Sequence, residues 1–304
     1  MGQPEIERQQ RGGCISGPSG QMIHAIGCGC MQTGSFMTEP MARYHYSRRD
    51  LLLRALAGGL TLATVPLLSE KAHADLFKPS AQDQMRLGDQ AAAQVLQKYP
   101  EVRDSRARDF ANVGRRLVDA LDPKTERGPW NYTFQMVDSR EINAFALPGG
   151  HMFMFTGLMD RIKSPSELAA VTGHEMTHVR KEHWANAAAA QKKRELLLSG
   201  VLSVTHAGQI WQTIAGGAEQ LYTLRFSRGE EDQADAGGLQ NMAEAKFNLH
   251  GMLDLFSTLQ QATGGRSGGP EFLSDHPLTT ARIKHTEQRI AQMEKQNPDL
   301  RRQG

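Results

Sequence analysis

The stretch that decides the fold is the pentapeptide His174-Glu175-Met176-Thr177-His178. On an α-helix, two histidines four residues apart lie on one face, one turn from each other. Their imidazole nitrogens can then bind a single metal ion. Glu175 projects about 100° around the helix from His174, so it can reach a water at the metal without being a ligand. The pattern predicts a helix that carries two metal ligands and a general base.

The residues before the pentapeptide favour such a helix. Ser164-Pro165 is followed by Glu167, which predicts a helix that begins at Pro165, with Ser164 as its N-cap and Glu167 closing a capping box. No further proline occurs before Pro270. The alternative is an exposed helix that carries His, Glu and His by coincidence.

Composition separates the first 74 residues from the rest. The chain has 304 residues and a net charge of +2, and its three cysteines (Cys14, Cys28 and Cys30) lie near the start. Residues 75–304 contain no cysteine, and their 28 Lys and Arg balance 28 Asp and Glu. We therefore expect no disulfides or thiol chemistry there, and no electrostatic capture of nucleic acid.

The N-terminal region is interpreted as two segments. Residues 1–36 are glycine-rich, lack apolar periodicity and are expected to be an untranslated or disordered extension, with translation starting at Met37 or Met41. Residues 37–74 resemble a twin-arginine signal peptide: Arg48-Arg49, a weak apolar run and a small-residue cleavage site ending at Ala74. Export to the periplasm follows from this interpretation. The alternative is an uncut leader that keeps the protein associated with the membrane.

The remaining residues, 75–304, are predicted to form one mainly helical α+β domain with a small sheet beside the metal helix. An apolar strand at His151–Phe155 would form a hairpin with the strand before it; it either offers a free edge to an extended peptide or is an ordinary buried strand. The predicted helices are 79–99, 102–121, 156–162, 196–218, 221–245 and 278–295, and the predicted strands are 130–137, 143–147 and 151–155.

A third metal ligand is expected in the helix predicted at 221–245. Glu231 and Asp235 are four residues apart and share a face. One carboxylate can bind the metal while the other accepts a hydrogen bond from a ligand histidine. A solvated acidic face is the alternative. His183 lies five residues after His178, off the ligand face, and is interpreted as a packing or hydrogen-bonding residue.

The chain resembles the zinc metallopeptidases of peptidase family M48, which include CaaX prenyl proteases, HtpX-type membrane proteases and soluble periplasmic BepA-like enzymes. The last of these is the most similar branch. The matching segments are His174–His178, Glu231 to Asp235, Asn143–Gly150, Thr156–Leu158, Asp275–Pro277 and Arg282–Ile283.

The resemblance implies a gluzincin-type fold with one Zn²⁺ per chain, held by His174, His178 and Glu231, and with Glu175 as general base. His276 and Arg282 are the candidates for stabilising the oxyanion, although both can be structural. His276 can instead occupy the open zinc position at rest, since the glycine-rich loop 263–270 precedes it.

The implied function is hydrolysis of peptide bonds in misfolded cell-envelope proteins, so protein or peptide substrates are expected. Peripheral contact of the protein with the membrane or with envelope proteins is a further expectation. The alternative function is a non-enzymatic, zinc-holding, chaperone-like binding protein on the same fold. No particular oligomeric state is predicted.

Overall fold

The computed structural model describes residues 78–199, 225–262 and 271–302. The segments predicted at 1–36 and 37–74, most of the helix predicted at 196–218, and the loop 263–270 lie outside these residues. The helices are α1 (Ala81–Lys98), α2 (Ser105–Ala120), α3 (Thr156–Met159), α4 (Pro165–Arg180), α5 (His183–Ser199), α6 (Arg228–Glu244), α7 (Gly251–Ala262), α8 (Glu271–Asp275) and α9 (Thr280–Gln296), with a 3-10 helix at Pro298–Arg302. The strands are β1 (Glu101–Val102), β2 (Thr133–Val137), β3 (Ala144–Ala146) and β4 (His151–Phe155).

These elements confirm the predicted class, a mainly helical α+β fold with a small sheet. The predicted helix at 102–121 starts later than expected, because Val102 pairs with β2 and the side chain of Asp104 caps α2 by accepting from Ala107 N. No helix in the described ranges is both long and apolar enough to cross a membrane.

The sheet has the order β1-β2-β4-β3. The predicted hairpin is confirmed, because β3 and β4 are antiparallel and Gly149 and Gly150, both with positive φ, form the turn between them. β4 also pairs in parallel with β2. His151–Phe155 is therefore a central strand without a free edge, and β1 and β3 (Ala144–Ala146) are the two edge strands.

Both faces of β4 are buried, which explains why this strand is almost entirely apolar. Met152 and Met154 belong to the main core with α2 and α4, whereas Phe153 and Phe155 belong to a second cluster with α1 and the start of α5. The sheet thus separates two apolar layers, and α4 lies in the larger one.

Helix α4 begins at Pro165, as predicted, and Ser164 Oγ accepts from Glu167 N at 3.1 Å. The rest of the predicted capping box is wrong. The Glu167 carboxylate accepts from Lys163 N at 3.4 Å and from Thr258 Oγ1 of α7 at 3.1 Å, so it joins two helices instead of closing on its own cap.

Every residue of α4 from Glu167 to Val179 is buried, since α2, α6, α7 and the sheet surround it. Its closest neighbour is α6. A Cβ added at Gly173 would lie 3.3 Å from Gly238 Cα, so the two backbones meet where neither has a side chain. This contact brings the carboxylates of α6 to the histidines of α4.

Candidate metal centre

The two histidines of α4 face the same buried space. His174 and His178 are 2% and 4% exposed, and their Nε2 atoms lie 3.1 Å apart. The one-turn spacing has therefore placed the two nitrogens together. The ring of Phe226 stacks on His178 with centroids 4.1 Å apart, and this apolar contact covers one face of the imidazole.

Helix α6 supplies two carboxylates to these histidines. A complete capping box between Ser227 and Glu230 starts the helix. One turn in, Glu231 places its carboxylate oxygens 3.6 Å from His174 Nε2 and 3.5 Å from His178 Nε2. Asp235 accepts a hydrogen bond from the other ring nitrogen of His174, with Oδ1 and Nδ1 3.0 Å apart. His174 thus carries its proton on Nδ1 and turns the lone pair of Nε2 towards Glu231.

His276, just after α8, completes the cluster. Its Nδ1 lies 2.9 Å from Glu231 Oε1 and 3.4 Å from His174 Nε2. Burial alone would lower the pKa of His276, but the Glu175 and Glu231 carboxylates together raise it above its ordinary value. His174, His178, Glu231 and His276 offer donor atoms that all lie within 4.8 Å of one another.

The spacing of these donor atoms fits a tetrahedral metal ion. A Zn²⁺ ion with bonds of about 2.0–2.1 Å to nitrogen and oxygen separates its ligand atoms by about 3.3 Å. The distances among His174, His178 and Glu231 are 3.1, 3.6 and 3.5 Å. The donors are also all buried, so without a cation their lone pairs would face one another at a cost in free energy.

Glu175 lies beside the cluster and has one carboxylate oxygen without a hydrogen-bond partner. Its Oε2 accepts from Ala146 N of the edge strand at 3.1 Å. Its Oε1 is buried without a hydrogen bond and lies 3.6 Å from His276 Nε2. Burial raises the pKa of Glu175 above its ordinary value, while His276 and His174 partly oppose the shift. A carboxyl group in this state is well placed to take and return a proton.

Arg282 contacts both carboxylates of α6, those of Asp235 and Glu231. It forms two hydrogen bonds to Asp235, Nε to Oδ2 at 2.8 Å and Nη2 to Oδ1 at 2.7 Å. Its Nη1 lies 2.6 Å from Glu231 Oε2, an ion pair in which no N–H points well at the oxygen. Burial would raise the pKa of Asp235, but hydrogen bonds from Arg282 and His174 lower it to about 2.

The residues singled out in the sequence therefore lie together: His174, Glu175, His178, Glu231, Asp235, His276 and Arg282 are all buried in one region. His183, interpreted from the sequence as a packing or hydrogen-bonding residue off the ligand face, lies with its Nδ1 2.9 Å from His178 Nδ1. Two further residues were not expected at the site: Phe226 and Phe272 stack on His178 and His276. The sequence signal for a histidine near the site was the position of His183 just after the motif. No sequence pattern indicated that Phe226 or Phe272 would contact the histidines.

Comparison with known proteins agrees with this geometry. Residues 104–290 match the model of peptidase family M48, and this is more than half of the chain. The chain belongs to this family. The match runs from α2 into α9 and includes strands β2 to β4 and the whole cluster, so the cluster lies within the matched domain.

Named relatives are similar over part of their length. The chain is 29% identical to the beta-barrel assembly-enhancing protease of Yersinia pestis over 70% of this chain and 45% of that protein. It is 28% identical to the protein of that name in Escherichia coli K12, over 69% and 44%. It is 31% identical to the mitochondrial metalloendopeptidase OMA1 of Bos taurus, over 53% and 33%. The chain thus spans less than half the length of these relatives.

The buried pair of Asp235 and Arg282 predicts a large stability effect. Asp235→Asn should lower the free energy of unfolding of the metal-free protein at pH 7 by about 3–5 kcal/mol, because the buried Arg282 would lose the carboxylate that accepts two of its hydrogen bonds. Urea unfolding measures this. Asp232→Asn, on the same helix as Asp235, is the matched control, since Asp232 forms only a partly exposed ion pair with Arg289 of α9, worth about 1 kcal/mol.

The free energy of unfolding should depend on pH through Asp235. Because the pKa of this carboxyl group is lower in the folded state than its unfolded value of about 3.9, the stability that Asp235 contributes is complete above about pH 3.9. That stability is lost as the pH falls towards 2. Equal unfolding curves for Asp235→Asn and Asp232→Asn at pH 7 would contradict the assigned pairing.

Proposed function

We propose that this chain is a zinc-dependent endopeptidase, with one Zn²⁺ held by His174, His178 and Glu231 and with Glu175 as the general base. The observation that carries the proposal is the buried His-His-Glu set next to a carboxylate oxygen without a partner, in a chain of a peptidase family. When bound, zinc supplies a Lewis acid that activates water and polarises the peptide carbonyl.

The protein groups handle the proton. Glu175 accepts it from the attacking water on Oε1, the oxygen without a hydrogen bond, and returns it to the leaving amine. The hydrogen bond from Ala146 N fixes the carboxylate at a set distance from the ligands. The raised pKa of Glu175 brings its proton affinity closer to neutral pH, where a general base works best.

Arg282 is assigned a positioning role. Its guanidinium contacts Asp235 and Glu231 and donates to the carbonyl of Pro277 at 3.1 Å. With these partners it orients the ligand carboxylate and the segment that carries His276. This arrangement supports a positioning role better than a direct contact with the oxyanion.

His276 is proposed to fill the fourth metal position at rest. Its Nδ1 lies 2.9 Å from Glu231 Oε1 and 3.4 Å from His174 Nε2. These distances are similar to the 3.6 Å between His174 Nε2 and Glu231 Oε2, so His276 can act as a fourth donor. A catalytic zinc site needs one position open for water. His276 must therefore leave before a substrate is cleaved.

The binding-protein alternative is not favoured. It gives no role to the unpartnered oxygen of Glu175, and the chain belongs to a peptidase family. The substrates are proposed to be misfolded proteins of the cell envelope. The names of the Yersinia pestis and Escherichia coli relatives, which refer to β-barrel assembly, support this class.

Substitution of the base tests the proposed activity. Glu175→Gln keeps the size of the side chain but cannot accept the proton, so casein cleavage should fall at least about 100-fold. Zinc content, measured by mass spectrometry of the metal, should stay at one ion per chain. Glu287→Gln, at an exposed position of α9, is the control and should cleave at the wild-type rate. Unchanged cleavage by Glu175→Gln would refute the assignment, and a chelator should abolish wild-type cleavage reversibly.

Removal of the fourth donor tests the resting role of His276. His276→Ala should cleave casein faster than the wild type, because the fourth position would be open to water. Its zinc content should be kept by the other three ligands. His285→Ala, an exposed histidine of α9 paired with Asp232, is the control. Slower cleavage with full zinc content would instead favour a direct role of His276 in catalysis.

The proposed location is the periplasm, and the proposal rests on the resemblance of residues 37–74 to a twin-arginine signal peptide. Mass spectrometry of the protein from a bacterial periplasmic fraction should find Asp75 as the first residue. Replacing Arg48 and Arg49 by lysine should keep the chain uncut in the cytoplasm, whereas Arg54→Lys in the same leader should leave export unchanged. An intact leader in the membrane fraction would support the uncut anchor.

A further inference from the structure

His183 contacts the side of His178 that faces away from the ligand cluster. The two Nδ1 atoms lie 2.9 Å apart, and His183 is 1% exposed. Its other nitrogen, Nε2, lies 3.4 Å from Gln233 Oε1 on α6. The three side chains form one line that leads from α6 through His183 to the Nδ1 of a proposed metal ligand.

A break between two helices puts His183 there. On one continuous helix, a residue five positions after His178 would lie about 140° around the axis from it. Helix α4 ends at Arg180, however, and Glu182 has a positive φ of 53°. The Glu182 carboxylate accepts from Gln84 Nε2 at 2.8 Å and pairs with Lys78 Nζ at 2.5 Å, which stabilises this turn. Helix α5 then starts at His183 in a new direction.

The hydrogen bonds allow one assignment of protons in which His178 can be a ligand. His178 must keep the lone pair on Nε2, which faces His174 and Glu231, so its proton is on Nδ1. Nδ1–H then donates to His183 Nδ1, which must be unprotonated. The proton of His183 is therefore on Nε2 and faces Gln233 Oε1.

The two ligand histidines are thus supported differently. His174 donates to a carboxylate, Asp235, whose charge is balanced by Arg282. His178 donates to a neutral imidazole. A second carboxylate at that place would bring a further negative charge into the buried region without a cation of its own, which is costly. A neutral acceptor fixes the ring without that cost.

We propose that His183 is a positioning residue for the metal centre, which fixes the tautomer and the ring orientation of His178 by accepting its Nδ1–H. The proposal rests on the proposed function only in that His178 is a metal ligand. It predicts that zinc affinity depends on an acceptor at the place of His183 Nδ1.

Two substitutions of His183 separate the effect of its hydrogen-bond acceptor on zinc affinity from the effect of its side-chain volume. His183→Leu keeps the apolar contacts and cannot accept, so the zinc affinity of the full chain should fall about 10–100-fold. In His183→Asn the amide can place an oxygen near the position of Nδ1. Its zinc affinity should lie closer to that of the wild type than to that of His183→Leu. His250→Leu, at an exposed histidine paired with Glu294, should bind zinc like the wild type.

Zinc affinity is measured by competition with a chromophoric chelator, and thermal unfolding of the metal-free variants separates folding from binding. A purely structural His183 would give equal zinc affinities for the Leu and Asn variants, or an affinity unchanged from the wild type in both. Either result would overturn the proposal. Zinc binding by the wild type also distinguishes the two proposals: if the wild type binds no zinc, the proposed function fails.

Imidazole nitrogen NMR of the zinc-loaded wild-type protein gives a readout that needs no variant. With His178 bound to zinc through Nε2, His178 should carry its proton on Nδ1 and His183 should carry its proton on Nε2. A proton on His183 Nδ1 would mean that His183 donates to His178, and the proposed direction of the hydrogen bond would be wrong. This measurement tests the direction of the hydrogen bond between His178 and His183 even if His183→Leu does not fold.

Discussion

The structure depends on the close approach of α4 and α6. Side chains that converge on one ion must come from backbones that lie near each other, and here Gly173 and Gly238 remove the side chains from the point of contact. Glu231 and Asp235 then face His174 across the gap, at 3.6 Å and 3.0 Å. A larger side chain at Gly173 or Gly238 would disturb the positions of the proposed metal ligands as well as the packing of the core, because α4 and α6 form both.

Charge is the second constraint. Glu175, Glu231 and Asp235 are at most 4% exposed, and Arg282 is the buried guanidinium among them. With the histidines neutral and the carboxyl groups ionised, this region has an excess of negative charge that burial makes unfavourable. A divalent cation would offset that excess, and burial raises the pKa of Glu175 above its ordinary value. Metal binding and folding are therefore linked in this region.

Local patterns predicted much of the site. Helical spacing places His174 and His178 on one face of α4, and it places Glu231 and Asp235 on one face of a second helix. That Glu231, His276 and Arg282 belong to the same site was implied only by the resemblance to the family. The place of His183 did not follow, because the turn that moves it uses Glu182, a residue without the usual glycine signal for positive φ. The central position of β4 did not follow either, since strand order depends on contacts between distant segments. The partner of Glu167 is likewise far along the chain, at Thr258.

The hydrogen bond from Ala146 N to Glu175 has a consequence for catalysis. In the pairing of β3 with β4, the amide of Leu147 bonds to His151 O, so the alternate amide of Ala146 points out from the sheet. A polypeptide that docked there in extended form would compete with Glu175 for this donor. Occupation of this sheet edge would therefore change the hydrogen bonding of the carboxylate proposed as general base, so substrate binding and the position of that carboxylate would be coupled.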